Sequence, residues 1–557
     1  MKIKFLGAAI SVTGSCHLIT TDKYKILLDC GQFQGNKTME AMNFEGFGFE
    51  PAEIDMVFLS HAHIDHSGRL PLLVKRGYRG SIYCTDATAD LVDIMLKDSG
   101  YIHEKEAEWE NRKARRAGRK MVEPLYTADD AEASLEYLKP VLYGQRITIN
   151  EDIKVRYNDA GHILGSSIIE LWITESGEEH KLVFSGDIGV KGRPILRDPA
   201  IIEEADYLVM EATYGNRLHD VNEKTIEDFI AAILKTTRRG GTVVIPSFAV
   251  GRTQELIYQL NRFYEEHSEY KQELDNIMVY VDSPLATSAT EIFKRNAQAF
   301  DQETKDYILR GDNPLDFKNL RFTRSSEESI ALNFNEEPKI IISASGMCEA
   351  GRIKHHLKHN LWNPKSSVIF VGYQAEGTLG RSIVSGDKDV TVLGEKIHVN
   401  AEIINFEGFS GHADRDGLLE WLRGFRQEPH HIFLVHGETE AKKGFAEYVK
   451  EKLGYICKVI EGVTEFDLAS DKLISMQELK KRPIADSRLF EIKDRISKVH
   501  DDLETILYNT QLMVDDKMAH DKLDEITNIM IELEKNTINL GSEITVHNGQ
   551  EGMAAGK

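Results

Sequence analysis

Three imidazoles and one carboxylate fall within His61-Ala62-His63-Ile64-Asp65-His66, which follows the apolar run Met56-Val57-Phe58-Leu59 and Ser60. Histidine makes up 20 of 557 residues, so a chance His-x-His-x-Asp-His pattern arises on the order of once in a thousand such chains. Imidazole nitrogen and carboxylate oxygen are donors that Zn²⁺ takes, and alternate residues leaving a strand end can aim at one ion while the next pair serves another. His61 and His63 then face one metal, Asp65 and His66 a second. Two metals need further ligands, so the pattern predicts isolated His and Asp residues at strand ends downstream. Ordinary packing is the bland alternative.

Such residues occur. His162 stands alone on the turn Asp159-Ala160-Gly161-His162-Ile163-Leu164-Gly165-Ser166, and Asp187 follows Lys181-Leu182-Val183-Phe184-Ser185-Gly186. Singly, each reads as a polar residue capping a turn. Together they fit the missing histidine and a bridging carboxylate. Much later, Gly411-His412-Ala413-Asp414 follows a strand-like stretch over 401–406, and His436-Gly437-Glu438 follows another over 431–435.

The elements that have to hold these side chains are short. Apolar runs at 2–6, 17–20, 25–28 and 56–59, separated by Gly, Asp and Asn turn residues, predict directly paired strands. Helices are expected over 70–75 and 87–96, and strands over 146–149, 153–157 and 181–185. Near residue 210 the rhythm changes: helix 223–237, strand 242–245, helix 252–267, strand 277–281, helix 288–309, then 339–343, 355–361 and 368–372. This alternation marks a second α/β layer with mainly parallel strands. Its loops at 247–252, 343–346 and 376–381 carry glycine and hydroxyl residues whose backbone amides can hold phosphate oxygens. Plain turn formation accounts for them equally well. Because strand-end histidines return after residue 401, the chain is expected to re-enter its first domain, which makes the α/β layer an insertion.

Two further segments stand out. Arg112-Lys113-Ala114-Arg115-Arg116-Ala117-Gly118-Arg119-Lys120 with nearby Trp109 suits a single-strand-binding surface, or a solvated helix face. After residue 470, Leu489, Ile492, Ile496, Val499, Leu503 and Ile506, then Leu523, Ile526, Met530 and Leu533, step by threes and fours. They predict a helical hairpin or two short dimerising helices, with docking against the body as the alternative. Disorder is expected from His547 on.

Composition sets the bounds. At 557 residues and 63.0 kDa two or three domains are expected. The net charge of −22 argues against coating nucleic acid through bulk positive charge, but not against a metal site that binds phosphate. Five scattered cysteines without a Cys-x-x-Cys spacing read as reduced thiols of a cytoplasmic protein. No stretch of about twenty apolar residues occurs, so no membrane span is expected. The broken apolar run at the N-terminus is not expected to be a signal peptide.

The loop His61/His63/Asp65/His66 with Asp29, His162 and Asp187 resembles the metallo-β-lactamase superfamily. The Glu211-Ala212-Thr213-Tyr214-Gly215, His412 and His436 positions resemble the extra motifs of its β-CASP nucleases. Stretches 246–255, 346–357 and 371–381 are similar to bacterial and archaeal relatives of the polyadenylation-complex endonuclease, over about residues 1–465. The resemblance implies an α/β fold: a metallo-β-lactamase αββα sandwich (1–210 and 396–468) with an inserted parallel-sheet β-CASP domain (211–395); the helical, coiled-coil-like extension (469–557) lies outside it and rests on the apolar spacing alone. No KH-type domain is expected ahead of it, since the strand pattern begins at residue 2. It implies one zinc on His61, His63 and His162, another on Asp65, His66 and His436, with Asp187 bridging and Asp29 orienting a ligand histidine.

The implied activity is hydrolysis of single-stranded RNA by a metal-bridged hydroxide, endonucleolytic, 5′-exonucleolytic or both, leaving 5′-phosphate and 3′-hydroxyl ends in RNA processing or decay. His412, paired with Glu211, would protonate the leaving oxygen or clamp the phosphate, alongside Asp65. Ser247, Arg252, Ser345, Gly346, Arg352 and Arg381 are the implied phosphate contacts. A histidine at 436 favours RNA over DNA, because the DNA-repair branch typically has an apolar residue there. Two other readings compete: a hydrolase of small esters or thioesters on the same metals, and a non-catalytic RNA-processing scaffold. The implied partner is RNA; a second copy bound through the C-terminal helices is what the spacing of that segment, not the resemblance, allows.

Overall fold

The apolar runs of the first half lack strict alternation because their strands are covered on both faces. In the strand Lys25–Leu28, Ile26 and Leu28 point between two sheets while Leu27 faces a helical layer, the burial that a continuous hydrophobic run serves. The computed structural model describes residues 1–477 apart from 36, 117, 220–224, 268–269, 373, 375–376 and 407–409, and beyond them only Glu532 and Lys535.

Among the described residues, an eight-stranded sheet runs in the order Lys472–Gln477, Val463–Asp467, Lys2–Phe5, His17–Thr20, Lys25–Leu28, Met56–Phe58, Ser81–Thr85, Leu138–Val141. A seven-stranded sheet runs Cys457–Val459, His431–Val435, Tyr207–Glu211, Glu178–Phe184, Ser167–Glu175, Ile153–Asp159, Ile147–Thr148. Phe5, Ile169, Phe184 and Phe433 belong to the core between them. Leu418 and Trp421 of the helix Arg415–Leu422 and Phe445 of the helix Thr439–Leu453 cover one outer face. Leu73 of Leu70–Lys75 and Leu91 and Leu96 of Asp86–Arg116 cover the other. The result is a helix–sheet–sheet–helix sandwich.

Residues from both sides of the insertion share these sheets. Tyr207–Glu211 pairs in parallel with His431–Val435, Glu211 opposite Val435, so Glu211 and His436 leave neighbouring strand ends. Between them lies a third sheet, Leu320–Phe322, Met278–Val281, Lys339–Ser343, Thr242–Pro246, Ser367–Phe370, Glu402–Asn405, with every pairing parallel. Val243, Ile245 and Ile340 join a core continuous with that of the first domain, while Val244, Val368 and Phe370 pack on Ile353 and Leu357 of the helix Ile353–Asn360.

Several expected boundaries move. Glu402–Asn405 pairs with Ser367–Phe370, so the inserted sheet continues past residue 396 and the return to the sandwich comes only after 406. The apolar Ile403 and Ile404 suit either sheet, and pairing decides between them. Residues 469 onward do not begin as helix: Lys472–Gln477 is an antiparallel strand on Val463–Asp467. The helix expected over 288–309 is two, Pro284–Arg295 and Gln302–Leu309, the second started by Asp301, whose carboxylate accepts the Thr304 amide (2.7 Å). The helix expected over 87–96 is much longer, reaching Arg116. The heptad-spaced residues from Leu489 on lie outside the described residues.

Candidate metal centre

The chain leaves the strand Met56–Phe58 and turns into the short helix Ile64–Ser67, with His63 as its N-cap. The Ser67 hydroxyl donates to the carbonyls of Ala62 (2.8 Å) and His63 (3.0 Å) and closes the loop. Gly31 lets it pack: a Cβ there would stand 1.6 Å from the Asp65 carbonyl oxygen. His162, Asp187 and His436 arrive from the ends of other strands, as strand-end loops gathered by sheet order.

Among the described residues two histidine-rich groups of donors form, His61, His63, His162 and Asp187, and Asp65, His66 and His436, and a third, Asp187 with Glu211 and His412, adjoins them, each with its donor atoms within 4.8 Å of one another. His63 Nδ1 lies 3.1 Å from His61 Nε2 and 3.2 Å from His162 Nε2, and Asp187 Oδ2 lies 3.5 and 3.6 Å from the latter two. In the second group His66 Nε2 and His436 Nε2 are 3.1 Å apart, with Asp65 Oδ2 3.5 Å from His436. Asp187 reaches both groups: Oδ2 is 3.3 Å from His66 Nε2 and Oδ1 3.5 Å from His436 Nδ1. Four donors at 2.0–2.1 Å around a tetrahedral ion stand about 3.3 Å from each other, so these separations fit.

Two observations add to the fit. Among the described residues, Asp187 Oδ1 is buried without a hydrogen-bond partner, a costly state that a cation relieves. Burial holds the pKa values of His61 and His162 well below the usual histidine range and that of His63 at about 4, so these rings present the neutral form that ligates metal. At His66 burial is outweighed by the charges of Asp187, Asp29 and Asp65, which raise its pKa. That excess of carboxylate charge is what a bound cation would neutralise.

Asp29 contributes no donor to either group. Its Oδ2 sits 2.6 Å from His66 Nδ1 and also accepts the hydroxyls of Ser60 (2.9 Å) and Ser15 (3.1 Å), while Oδ1 accepts the Ser60 amide (2.8 Å). The ring is thereby turned so that Nε2 faces Asp187. His162 Nδ1 is similarly held by the Gly411 carbonyl (3.0 Å). Asp29 (φ 57°) and His436 (φ 47°) both adopt left-handed backbone, costing about 1–2 kcal/mol each; the amides donate to Phe58 O (3.1 Å) and Ala8 O (2.7 Å). Strain therefore collects at the site.

Beside the donors, Glu211 ends the buried strand Tyr207–Glu211 and lies 3.2 and 3.3 Å from His412 Nδ1 through its two oxygens. The Ile188 amide donates to Glu211 Oε1 at 2.6 Å. Burial disfavours a charged His412, but the charges of Glu211 and Asp187 and the Glu211 hydrogen bond prevail and raise its pKa to about 9. With Nδ1 on Glu211, the other ring nitrogen is the one available to a substrate. Sequence reasoning missed Thr213, whose hydroxyl contacts both Glu211 Oε2 and, at 3.1 Å, His436 Nδ1; its only mark was a place in the Glu211–Gly215 run. Ser60 had only its place before the histidine loop, and Ser15 carried no mark.

The expected phosphate contacts lie on loops and helix starts that follow strands of the inserted sheet, at the ends where ligands bind in open parallel sheets, and most have partners within the protein. The Ser247 hydroxyl accepts from Thr253 (3.0 Å), and the Ser345 hydroxyl accepts the amides of Glu349 (3.2 Å) and Ala350 (3.3 Å), so both shape their own loops. Arg352 donates to Asp282 (2.7 Å) and Arg252 to Glu255 (2.5 Å), ion pairs within the inserted domain. Gly346 packs beneath the Phe248 ring, and Arg381 is exposed on the helix Leu379–Val384.

Residues 18–204 match the model of a metallo-beta-lactamase superfamily domain, 253–383 that of the Beta-Casp domain and 396–460 that of a Zn-dependent metallo-hydrolase RNA specificity domain. The chain is 39% identical over 440 residues to ribonuclease TTHA0252 of Thermus thermophilus, covering 79% of this chain and 94% of that one. It is 33% identical over 461 residues to transcription termination factor FttA of Methanocaldococcus jannaschii (81% of this chain, 69% of that one) and 32% identical over 473 residues to FttA of Thermococcus kodakarensis (82% and 69%). With the sandwich, the inserted parallel sheet and the clustered donors, the chain belongs to the β-CASP family of metallo-β-lactamase-fold nucleases.

Proposed function

We propose that this protein is a zinc-dependent ribonuclease that hydrolyses phosphodiester bonds of single-stranded RNA. The observation that carries the reading is the Glu211–His412 pair standing against the Asp187 edge of the two donor groups, His412 Nδ1 3.9 Å from Asp187 Oδ2. A pair so placed suits departure of an alkoxide from phosphorus. His61, His63 and His162 would hold one zinc, Asp65, His66 and His436 the other, and Asp187 both. Ions held there stabilise charge on phosphoryl oxygens and make hydroxide available at neutral pH. His412, with Nδ1 anchored on Glu211, gives a proton to the leaving 3′ oxygen, and the ends produced are 5′-phosphate and 3′-hydroxyl.

The choice of RNA draws on the RNA specificity domain matched over 396–460 and on relatives named as a ribonuclease and as termination factors. The basic end of the helix Asp86–Arg116 offers a single-strand surface, where Lys113 Nζ stands 3.4 Å from the centroid of the Trp109 ring, itself 49% exposed. The five cysteines are free, which favours a reducing compartment, read as the cytoplasm; among the described residues no helix is long and apolar enough to cross a membrane. A hydrolase of small esters would leave the Glu211–His412 pair without a task, and a non-catalytic scaffold would have no need of a full donor set.

The test incubates zinc-loaded protein with end-labelled RNA and DNA beside Asp65→Ala. Cleavage of RNA by the wild type, with 5′-phosphate ends, and its loss in the variant are expected. RNA left equally intact by both rejects the reading, and internal fragments against released mononucleotides separate endo- from exonuclease action.

A further inference from the structure

Arg193 joins the two domains beside the donor cluster. It lies on the loop after Asp187, and its Nε (3.1 Å) and Nη2 both donate to Oε2 of Glu255, on the first turn of the inserted domain's helix Arg252–Glu266. The same oxygen takes Arg252 Nη1. The remaining nitrogen, Nη1, points elsewhere: it stands 3.1 Å from where a Cβ on Gly411 would be, and His162 Cε1 stands 3.2 Å from that same point. Gly411 supplies the carbonyl that holds His162 Nδ1 and directly precedes His412. Nη1, with no partner among the described residues, and the ring of a candidate metal ligand thus both stand against the Gly411 backbone, closer than a side chain at 411 would comfortably allow.

The charge is as informative as the position. The Arg193 side chain is 10% exposed and Glu255 8%, so the guanidinium is largely stripped of water, and the single carboxylate oxygen it uses is shared with a second arginine. A poorly hydrated cation calls for anionic company, and a planar fork can hold a carboxylate along one edge and a phosphate along another. We infer that Arg193 binds a non-bridging oxygen of the phosphate one nucleotide from the cleaved bond, with Glu255 of the inserted domain aiming it. The inference rests on the nuclease reading of the site. Arg193 then registers the strand on the two donor groups, while His412 attends to the scissile phosphate.

The test uses the full-length zinc-loaded protein and a short RNA cut at one bond, made with an uncharged methylphosphonate at the linkage on either side of that bond. Removing the charge at one flank should lower the wild-type kcat/KM by about 10- to 100-fold, the worth of a charged hydrogen bond. Arg193→Ala should show a similar loss on the all-phosphate RNA and no added loss from the methylphosphonate, with zinc content retained. Arg193→Lys should recover part of it, since charge remains but the fork does not; should the alanine variant not fold, the lysine variant carries the same comparison. Wild-type insensitivity at both flanks, or an Arg193 variant as sensitive as the wild type, overturns the inference. A wild type that cleaves no RNA would instead reject the function proposed above.

Discussion

Asp29 shows how much of this site depends on a residue that touches no candidate ion. It gathers His66, Ser60 and Ser15 on one carboxylate, and it does so from a left-handed backbone. Removing it would leave a buried imidazole nitrogen and a buried amide unpartnered and free the ring to rotate. Asp29→Ala should therefore weaken zinc binding by about 10- to 100-fold, read by equilibrium titration against a chelator of known affinity. Unchanged affinity would mean that packing alone orients His66. Asp29 was visible in sequence only through the family resemblance. Nothing in its spacing ties it to His66, because that contact is made by the adjacent pairing of Lys25–Leu28 with Met56–Phe58.

Among the elements, the strand Met278–Val281 of the inserted sheet ends in Asp282, a buried carboxylate that fastens two helices. It accepts from Ser329 Oγ (2.5 Å) on Ser326–Phe334, approaches His356 Nε2 (2.5 Å) on Ile353–Asn360, and takes Arg352 Nη1 and the Thr323 hydroxyl. Burial alone would raise its pKa, but the hydrogen bonds from His356, Ser329, Thr323 and Arg352 outweigh it and hold the carboxyl well below the usual range. Asp282→Ala should cost about 3–5 kcal/mol at neutral pH by leaving buried charges unpaired. A depressed folded-state pKa stabilises above the unfolded value of about 3.9 and loses that contribution as pH falls toward the folded value. The stability gap between wild type and variant should therefore be full at pH 7 and narrow below about pH 4. Thermal melts across that range check it, and a gap that stays constant would refute the account.

For the whole molecule the strand Lys472–Gln477 sets where the body ends. It covers Val463–Asp467, which in turn pairs with the first strand of the chain, Lys2 opposite Asp467. Cutting after residue 468 strips an edge strand and should lower the melting temperature, whereas cutting after 477 should leave it unchanged. If the heptad-spaced residues beyond 489 dimerise, the cut after 477 should also halve the mass in light scattering. An unchanged mass would remove dimerisation from the reading of that segment.

The residue types of the site and their placement at strand ends were legible in the chain alone, because both are local: an apolar run, then a turn carrying His or Asp. The His61–His66 loop, His162, Asp187, His412 and His436 all announce themselves this way. Which of them meet, and what supports them, was decided by tertiary structure. Tyr207–Glu211 lies beside His431–Val435 across the whole insertion, which sets Thr213 between Glu211 and His436 and Gly411 against His162. Arg193 carries no mark in the sequence, because its partner Glu255 comes from another domain. The same limit hid the pairing of Glu402–Asn405 with Ser367–Phe370 and the ion pairs that Arg252 and Arg352 make with Glu255 and Asp282. A side chain's partner, unlike its periodicity, is set by pairings between distant segments, and no stretch of sequence read by itself contains them.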